Sequence, residues 1–179
     1  MSAPKADADG FRRLMARWPT GVSVVTARSG EQDGGMTVNA LLSISLDPPT
    51  LLVSLARDAD TVPLLDASGH FAVSFLAARQ RELSEGFARR VGAAEKFRGV
   101  PIRRGVTGAA LLEGALGWIE CRTLQTIPLA DHRLYVGEVL AAREGNDAAP
   151  LLFYHRSYAR ADGGDRLILP PAPADRASP

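Results

Sequence analysis

The sequence predicts a mainly β fold, an antiparallel barrel or sandwich with helices inserted and packed outside it. Three observations carry this expectation. Short β-branched runs follow one another directly at both ends of the chain. Helical patterns interrupt them without the regular strand–helix alternation that a doubly wound parallel sheet needs. A length of 179 residues, 46% hydrophobic and 23% charged, suits one domain able to bury its own core. About seven strands and three helices are expected.

Taken in order, residues 1–6 read as a flexible tail, 7–161 as the domain, and 162–179, rich in Pro, Ala, Gly and Asp, as a poorly ordered tail. A first helix is expected over 7–17. Phe11, Leu14, Met15 and Trp18 recur at i, i+3, i+4 and i+7 as one apolar stripe, Asp7 or Asp9 can cap the start, and Pro19 stops it. Residues 21–27 are β-branched and read as a strand, and 28–35 as a turn. From Met36 the chain alternates. Met36, Val38, Ala40, Leu42 and Ile44 fall on one side, and Thr37, Asn39, Leu41, Ser43 and Ser45 on the other. That pattern predicts one strand with one buried face, ended by Asp47, Pro48 and Pro49.

Residues 50–56 are nearly all apolar and read as a central strand. A loop and a short helix follow, with Asp60 as cap and Gly69 as stop. Residues 70–77 read as a strand, and 78–92 as a helix with Leu76, Leu83, Phe87 and Val91 near one face. Residues 99–114 form a glycine-rich connection with short strands at most. Two long strands over 115–130 and 132–144 are joined at 128–131 as a hairpin, and 150–160 supplies a last strand or two.

Composition excludes several functions. A net charge of +1 gives no electrostatic reason for nucleic acid or an anionic membrane. No apolar run approaches the ~20 residues of a spanning helix. The N-terminus has no apolar signal core, and Cys121 is the only cysteine, which together predict a cytoplasmic protein without disulfides. No Gly-x-Gly-x-x-Gly, P-loop, His-Glu-x-x-His or Gly-x-Ser-x-Gly motif occurs. His70, His132 and His155 lack ligand spacing, so no metal site is expected.

Three stretches remain as candidates. The second face of the strand from Met36 carries no charge, only small hydrogen-bonding groups. It fits a partly buried barrel interior, where Thr and Ser satisfy backbone groups, or a binding face for a flat, polar-edged heterocycle that Asn39 can both donate to and accept from. In residues 54–61 a strand ends, a polar loop follows and a helix begins. Ser54, Arg57 and Thr61 can hold a phosphate there, although Arg57 can equally pair with Asp58 or Asp60. His132 stands at a strand mouth just after a turn, placed to meet a ligand or water. Trp118 and Cys121 read as core, and Glu138 as a barrel-end residue with a polar partner.

Taken together, "WPTGVSVVTA", "GMTVNALLSISLDPPTLLVSLARDADT", "GHFAVSFLA", "EKFRG", "ALGWIECR", "ADHRLYVGEV" and "PLLFYHRSY" resemble the flavin reductase family. The resemblance runs in order from Phe11 to Tyr158. It implies the FMN-binding split β-barrel, an antiparallel barrel with helices outside. It also implies the reductase component of a two-component flavin-dependent monooxygenase, a homodimer that moves hydride from NADH, with NADPH less favoured, to FAD or FMN and releases reduced flavin to an oxygenase. Within that resemblance Thr37, Val38, Asn39 and Ala40 line the isoalloxazine, with Ser43 nearby. Ser54, Leu55, Ala56, Arg57 and Thr61 cradle the flavin phosphate, and Phe87 and Lys96 approach the flavin. His132 matches a Gly-Asp-His beside the nicotinamide, with Ala130 in place of the Gly, and Tyr154 borders the same pocket. Two rival readings share this fold: a flavoprotein oxidase that retains its flavin, as relatives of pyridoxamine-phosphate oxidase do, and a flavin-binding module without turnover.

Overall fold

A computed structural model of the chain describes residues 7–161 and 167–168. Its elements in chain order are α1 (Ala8–Met15), β1 (Thr20–Gly21), β2 (Ser23–Ser29), β3 (Gln32–Val38), β4 (Leu41–Leu46), β5 (Pro49–Ala56), α2 (Val62–Ser68) and β6 (His70–Phe75). There follow α3 (Arg81–Ala88), α4 (Ala93–Lys96), β7 (Ile102–Arg104), β8 (Ala110–Leu112), β9 (Gly117–Leu129), β10 (His132–Glu144), β11 (Leu151–Tyr154), β12 (Ser157–Ala161) and β13 (Leu167–Ile168). The described strands and helices outnumber the seven and three expected, because hairpins are split at tight turns and the glycine-rich connection contains β7 and β8. The two expected tails lie outside the described residues, apart from Leu167–Ile168, which pair with β12.

The main sheet has seven strands in the order β3-β2-β6-β9-β10-β5-β4, every pair antiparallel. Its two edge strands, β3 and β4, are consecutive in the chain and only Asn39 and Ala40 join them. A two-residue link cannot cross a flat seven-stranded sheet, since strands lie about 4.8 Å apart. The sheet therefore curls until its edges meet, and Ser54 N donates to Ala40 O at 3.0 Å, extending the β4–β5 ladder onto the link.

β2 explains the barrel's two cores. Val25 points into a cluster with Val53, Leu55, Phe71 and Tyr135, which fills the barrel. Val24 points the other way, into a cluster with Leu76, Phe87, Leu112 and Leu151 under α3 and the smaller sheet β1-β11-β12-β13. A strand buried on both faces has no need of polar alternation, and its β-branched run is the consequence. α2 caps the barrel with Val62 and Leu65, and Gly69 ends it in the left-handed region at φ 65°.

Three expectations are corrected. The alternating stretch from Met36 is two strands, and the phase slips at Asn39–Ala40. Val38 and Leu41 both pack on the barrel core, whereas Leu42 and Ile44 face outward. The expected helix over 78–92 is shorter. A 3-10 turn at Ala78–Gln80 precedes α3, and the chain turns extended at Arg89 before α4 begins. The cap of α2 is Thr61 and not Asp60, and no side chain bonds there. By contrast, Asp7 does cap α1, accepting from the N–H groups of Asp9 and Gly10. The apolar stripe of α1 meets no core: the helix buries no residue, and Phe11, Leu14, Met15 and Trp18 are all exposed.

Candidate functional site

The closure of the barrel makes a rim from three separate stretches. β10 pairs with β5 so that His132 lies opposite Ala56 and Leu134 opposite Ser54. Arg57 N donates to Asp131 O at 2.9 Å, which ties the end of β5 to the β9–β10 turn. With Ser54 bonded to Ala40, the rim runs Asn39–Ala40, Ser54–Arg57, Asp131–His132. The sequence candidates from all three stretches are thus brought to one place.

The rim is nearly free of competing partners. Asn39 and Ala40 are exposed, and Arg57 makes no ion pair among the described residues. The expected pairing of Arg57 with Asp58 does not form, because Asp58 binds Arg90 at 2.9 Å. The turn behind His132 is tight, and Ala130 occupies it at φ 51°, a left-handed conformation that glycine adopts without strain. His132 Nδ1 lies 2.8 Å from a carboxylate oxygen of Asp131. That hydrogen bond is the main reason the Asp131 carboxyl sits below the usual carboxylate range. With Nδ1 donating to Asp131, Nε2 is the ring nitrogen left to meet a ligand.

A second group flanks the outer edge of β3. Thr37 Oγ1 donates to Ser84 O at 2.7 Å, so its hydroxyl belongs to the β3–α3 contact. Phe87 is buried and meets Phe97 edge to face, with ring centroids 5.0 Å apart. Lys96 Nζ donates to Gly35 O at 3.1 Å. Burial lowers the Lys96 pKa, and the charge of Asp60 partly offsets it. Thr61 is buried between this group and the loop after β5. Val38 and Leu55 point into the barrel core, so only their backbone can face a ligand. Ser43 is exposed on β4. Tyr154 sits at the end of β11 in the smaller sheet, its ring against that of His155, away from the Asp131–His132 turn.

Residues that the sequence did not single out complete the surroundings. Asn39 lines a cleft of about 230 Å³ with Trp18, Thr20, Phe153 and Arg156. Thr20 Oγ1 is buried there and has no hydrogen-bond partner. A buried hydroxyl without a protein partner costs about 1–3 kcal/mol, and Thr123 Oγ1 is in the same position among the described residues. Only long-range pairing of β1 with β11 brings Thr20 and Phe153 to Asn39, and no local pattern encodes that. Glu138, expected to find a polar partner, binds Arg122 across the β9–β10 ladder. Trp118 and Cys121 are core residues, as expected, and burial pushes the Cys121 thiol up to about 12.

A flat heterocycle with polar edges fits this arrangement. The exposed Asn39 amide, with the uncharged Ala40 beside it, can receive the ring edge. Arg57 and Ser54 can hold an anion, and His132 stands across the rim for a second ring. No helix is long and apolar enough to cross a membrane.

The comparisons agree with this reading. Residues 15–162 match the model of the flavin reductase like domain. The chain is similar to an NADH-dependent FMN reductase of Streptomyces nodosus, 41% identical over 82% of this chain and 80% of the relative. It is also similar to the reductase component of 4-hydroxyphenylacetate 3-monooxygenase of Thermus thermophilus, 36% identical over 85% and 95%. Among solved structures, the flavin reductase component of a bacterial two-component tryptophan halogenase superposes with a TM-score of 0.81, at 34% identity over 89% of this chain and all of that one. A Streptomyces globisporus NADH:FAD oxidoreductase in complex with NAD and FAD fragments gives 0.82, at 32% identity over 92% and 100%.

Proposed function

This chain belongs to the flavin reductase like domain family, and we propose that it works as an NADH-dependent flavin reductase, an oxidoreductase that transfers hydride to FAD or FMN and supplies reduced flavin to a partner monooxygenase. The fold is the split barrel of that family. The observation that carries the reading is the convergence of Asn39–Ala40, Ser54–Arg57 and Asp131–His132 on one rim that closes the barrel.

When bound, the flavin supplies the redox chemistry, its ring accepting hydride from the dihydronicotinamide, with reduced flavin and NAD as products. The protein's part is binding and orientation, since hydride passes between stacked rings and needs little acid–base machinery. In this reading Asn39 and the backbone of Thr37, Val38 and Ala40 hold the ring edge, and Ser43 borders it. Ser54, Arg57 and Thr61, with the backbone of Leu55 and Ala56, hold the phosphate, with Arg57 offering two parallel donors. Phe87 and Lys96 keep β3 in place through Gly35. His132, steadied by Asp131, orients the nicotinamide through Nε2 and carries no obligatory proton. Tyr154, at the end of β11, borders the nicotinamide side in this reading.

A homodimer is part of the proposal. Phe11, Leu14, Met15 and Trp18 on one side, and Leu42, Ile44 and Leu46 on another, are large apolar side chains left at the surface. Such patches mark interaction sites. The buried free thiol of Cys121 fits a reducing, cytoplasmic setting. The defining experiment is NADH oxidation by catalytic protein with excess FAD or FMN, under anaerobic conditions. Many turnovers are expected. One equivalent of reduction and no more sinks the release model in favour of a flavin-retaining oxidase, and unchanged flavin absorbance leaves only a binding module.

A further inference from the structure

A cavity lies away from the rim, at the other end of β3. Its volume is about 620 Å³, within the range of small-ligand sites. Leu64 and Pro63 of α2 form one wall, and Phe97 with Ala94 of α4 the other. Phe97 is held in place by Phe87 and by the close approach of Gly35. The two walls are apolar and face each other across a gap, which suits a flat aromatic ring.

The polar lining is three carboxylates, Glu31, Asp33 and Asp60, with the Gln32 amide, and Glu31 is bonded by Arg28. Asp33 is neutralised by Arg104, with hydrogen bonds of 2.7 and 2.8 Å, and by Arg28. Asp60 differs: it lines the cavity and has no hydrogen bond or ion pair among the described residues, only the more distant charge of Lys96. An unpaired carboxylate repels a phosphate and accepts from neutral donors such as an exocyclic amine or a ribose diol. Aromatic, uncharged and rich in donors describes adenosine.

Position says which dinucleotide. β3 runs from Gln32, in the cavity lining, to Val38, next to the rim residue Asn39. Seven residue steps in a strand cover roughly 23 Å, the reach of an extended flavin dinucleotide and more than FMN spans. Thr61, expected on the phosphate side, and Lys96, expected to approach the flavin, stand between the two ends. Resting on the flavin reductase reading, we propose that this cavity is the adenosine subsite for FAD, so that the protein distinguishes FAD from FMN by the half of the molecule that does not react.

Calorimetric titration of the full chain with FAD, FMN and adenosine tests it. FAD is expected to bind about tenfold tighter than FMN, and adenosine to displace FAD but not FMN. Ala94→Trp, which fills the gap between the walls, is expected to weaken FAD about tenfold while FMN affinity moves less than about twofold, and Asp60→Asn to weaken FAD about threefold or more. Circular dichroism melting shows that each variant is folded. Equal affinity for FAD and FMN in the natural protein, or parallel loss of both in Ala94→Trp, overturns the assignment while leaving the reductase reading intact. Adenosine that competes with NADH in FMN-supported turnover but not with FAD overturns it in favour of the nicotinamide dinucleotide. A folded protein that binds neither flavin ends the reductase reading itself, and the subsite with it.

Discussion

At the scale of the residue, the turn before His132 carries an unusual conformation. Ala130 stands where the resemblance implies a glycine, and the backbone there takes φ 51°. An L-residue in that region costs about 1–2 kcal/mol, partly offset by the greater entropy that glycine loses on folding. Ala130→Gly is therefore expected to raise stability by about 0.5–1 kcal/mol in urea unfolding, with flavin and NADH kinetics unchanged within about twofold. His132→Ala tests the neighbouring role. A nicotinamide-orienting residue raises KM for NADH, here about tenfold, while kcat falls less than about threefold; an equal fall in kcat and kcat/KM would instead mean a proton-transfer role. Cys121 gives a pH dependence. Its thiol is raised from 9.0 to about 12, by burial first and by the charge of Glu120 second. The native state thus keeps a proton that the unfolded chain gives up. The stabilisation is complete below the ordinary thiol pKa and is lost as pH climbs towards 12. Between about pH 8 and pH 10, Cys121→Ala should start less stable, by about 1 kcal/mol or more, but lose less stability than the natural protein.

At the scale of the element, local signals were legible and edge geometry was not. The cap at Asp7, the stop at Gly69 and the β9–β10 hairpin depend on residues within a turn of each other, so sequence spacing announced them. The break at Asn39–Ala40 has no such announcement. Alternation continues through it because both flanking strands keep small or apolar residues, and only the closure of the barrel reverses which side is inside. The site suffers from the same limit. Asn39, Arg57 and His132 were legible as polar groups at strand ends, but the orphan Thr20 hydroxyl came to the cleft through the pairing of β1 with β11, more than a hundred residues apart in the chain. β3 shows how tightly this element is fixed. A Cβ on Gly35 would lie 2.7 Å from Phe87 Cε1 and 3.2 Å from Phe97 Cζ. Gly35→Ala must push α3 and α4 outward, and overpacking of this kind costs about 1–3 kcal/mol. Thermal melting should register that loss together with weaker flavin binding, because Lys96 anchors on the Gly35 carbonyl; an unchanged melt would mean that the two helices are free to shift.

At the scale of the whole molecule, what the chain leaves uncovered is as informative as what it buries. α1 has the stripe of an amphipathic helix, yet Phe11 is 63% exposed and Trp18 67%, and on β4 Leu46 reaches 88%. Burying a large apolar side chain is worth about 1.5–3 kcal/mol, so leaving seven of them in water forgoes stabilisation of the size of a whole domain's net stability. The two patches sit on elements that flank the rim: β4 leaves it directly after Ala40, and Trp18 lines the cleft of Asn39. A second copy seated on these faces would cover the apolar surface and wall the site in one step, which links assembly to activity. Leu14→Glu combined with Ile44→Glu places charges in both patches at exposed positions outside the chain's core clusters. The expected outcome by light scattering is a folded monomer where the natural protein is a dimer, with affinity for flavin reduced about tenfold or more because one wall is gone. If the double variant remains a dimer, these faces are not the interface. If it becomes a monomer that binds flavin as tightly as before, each chain builds its flavin site alone.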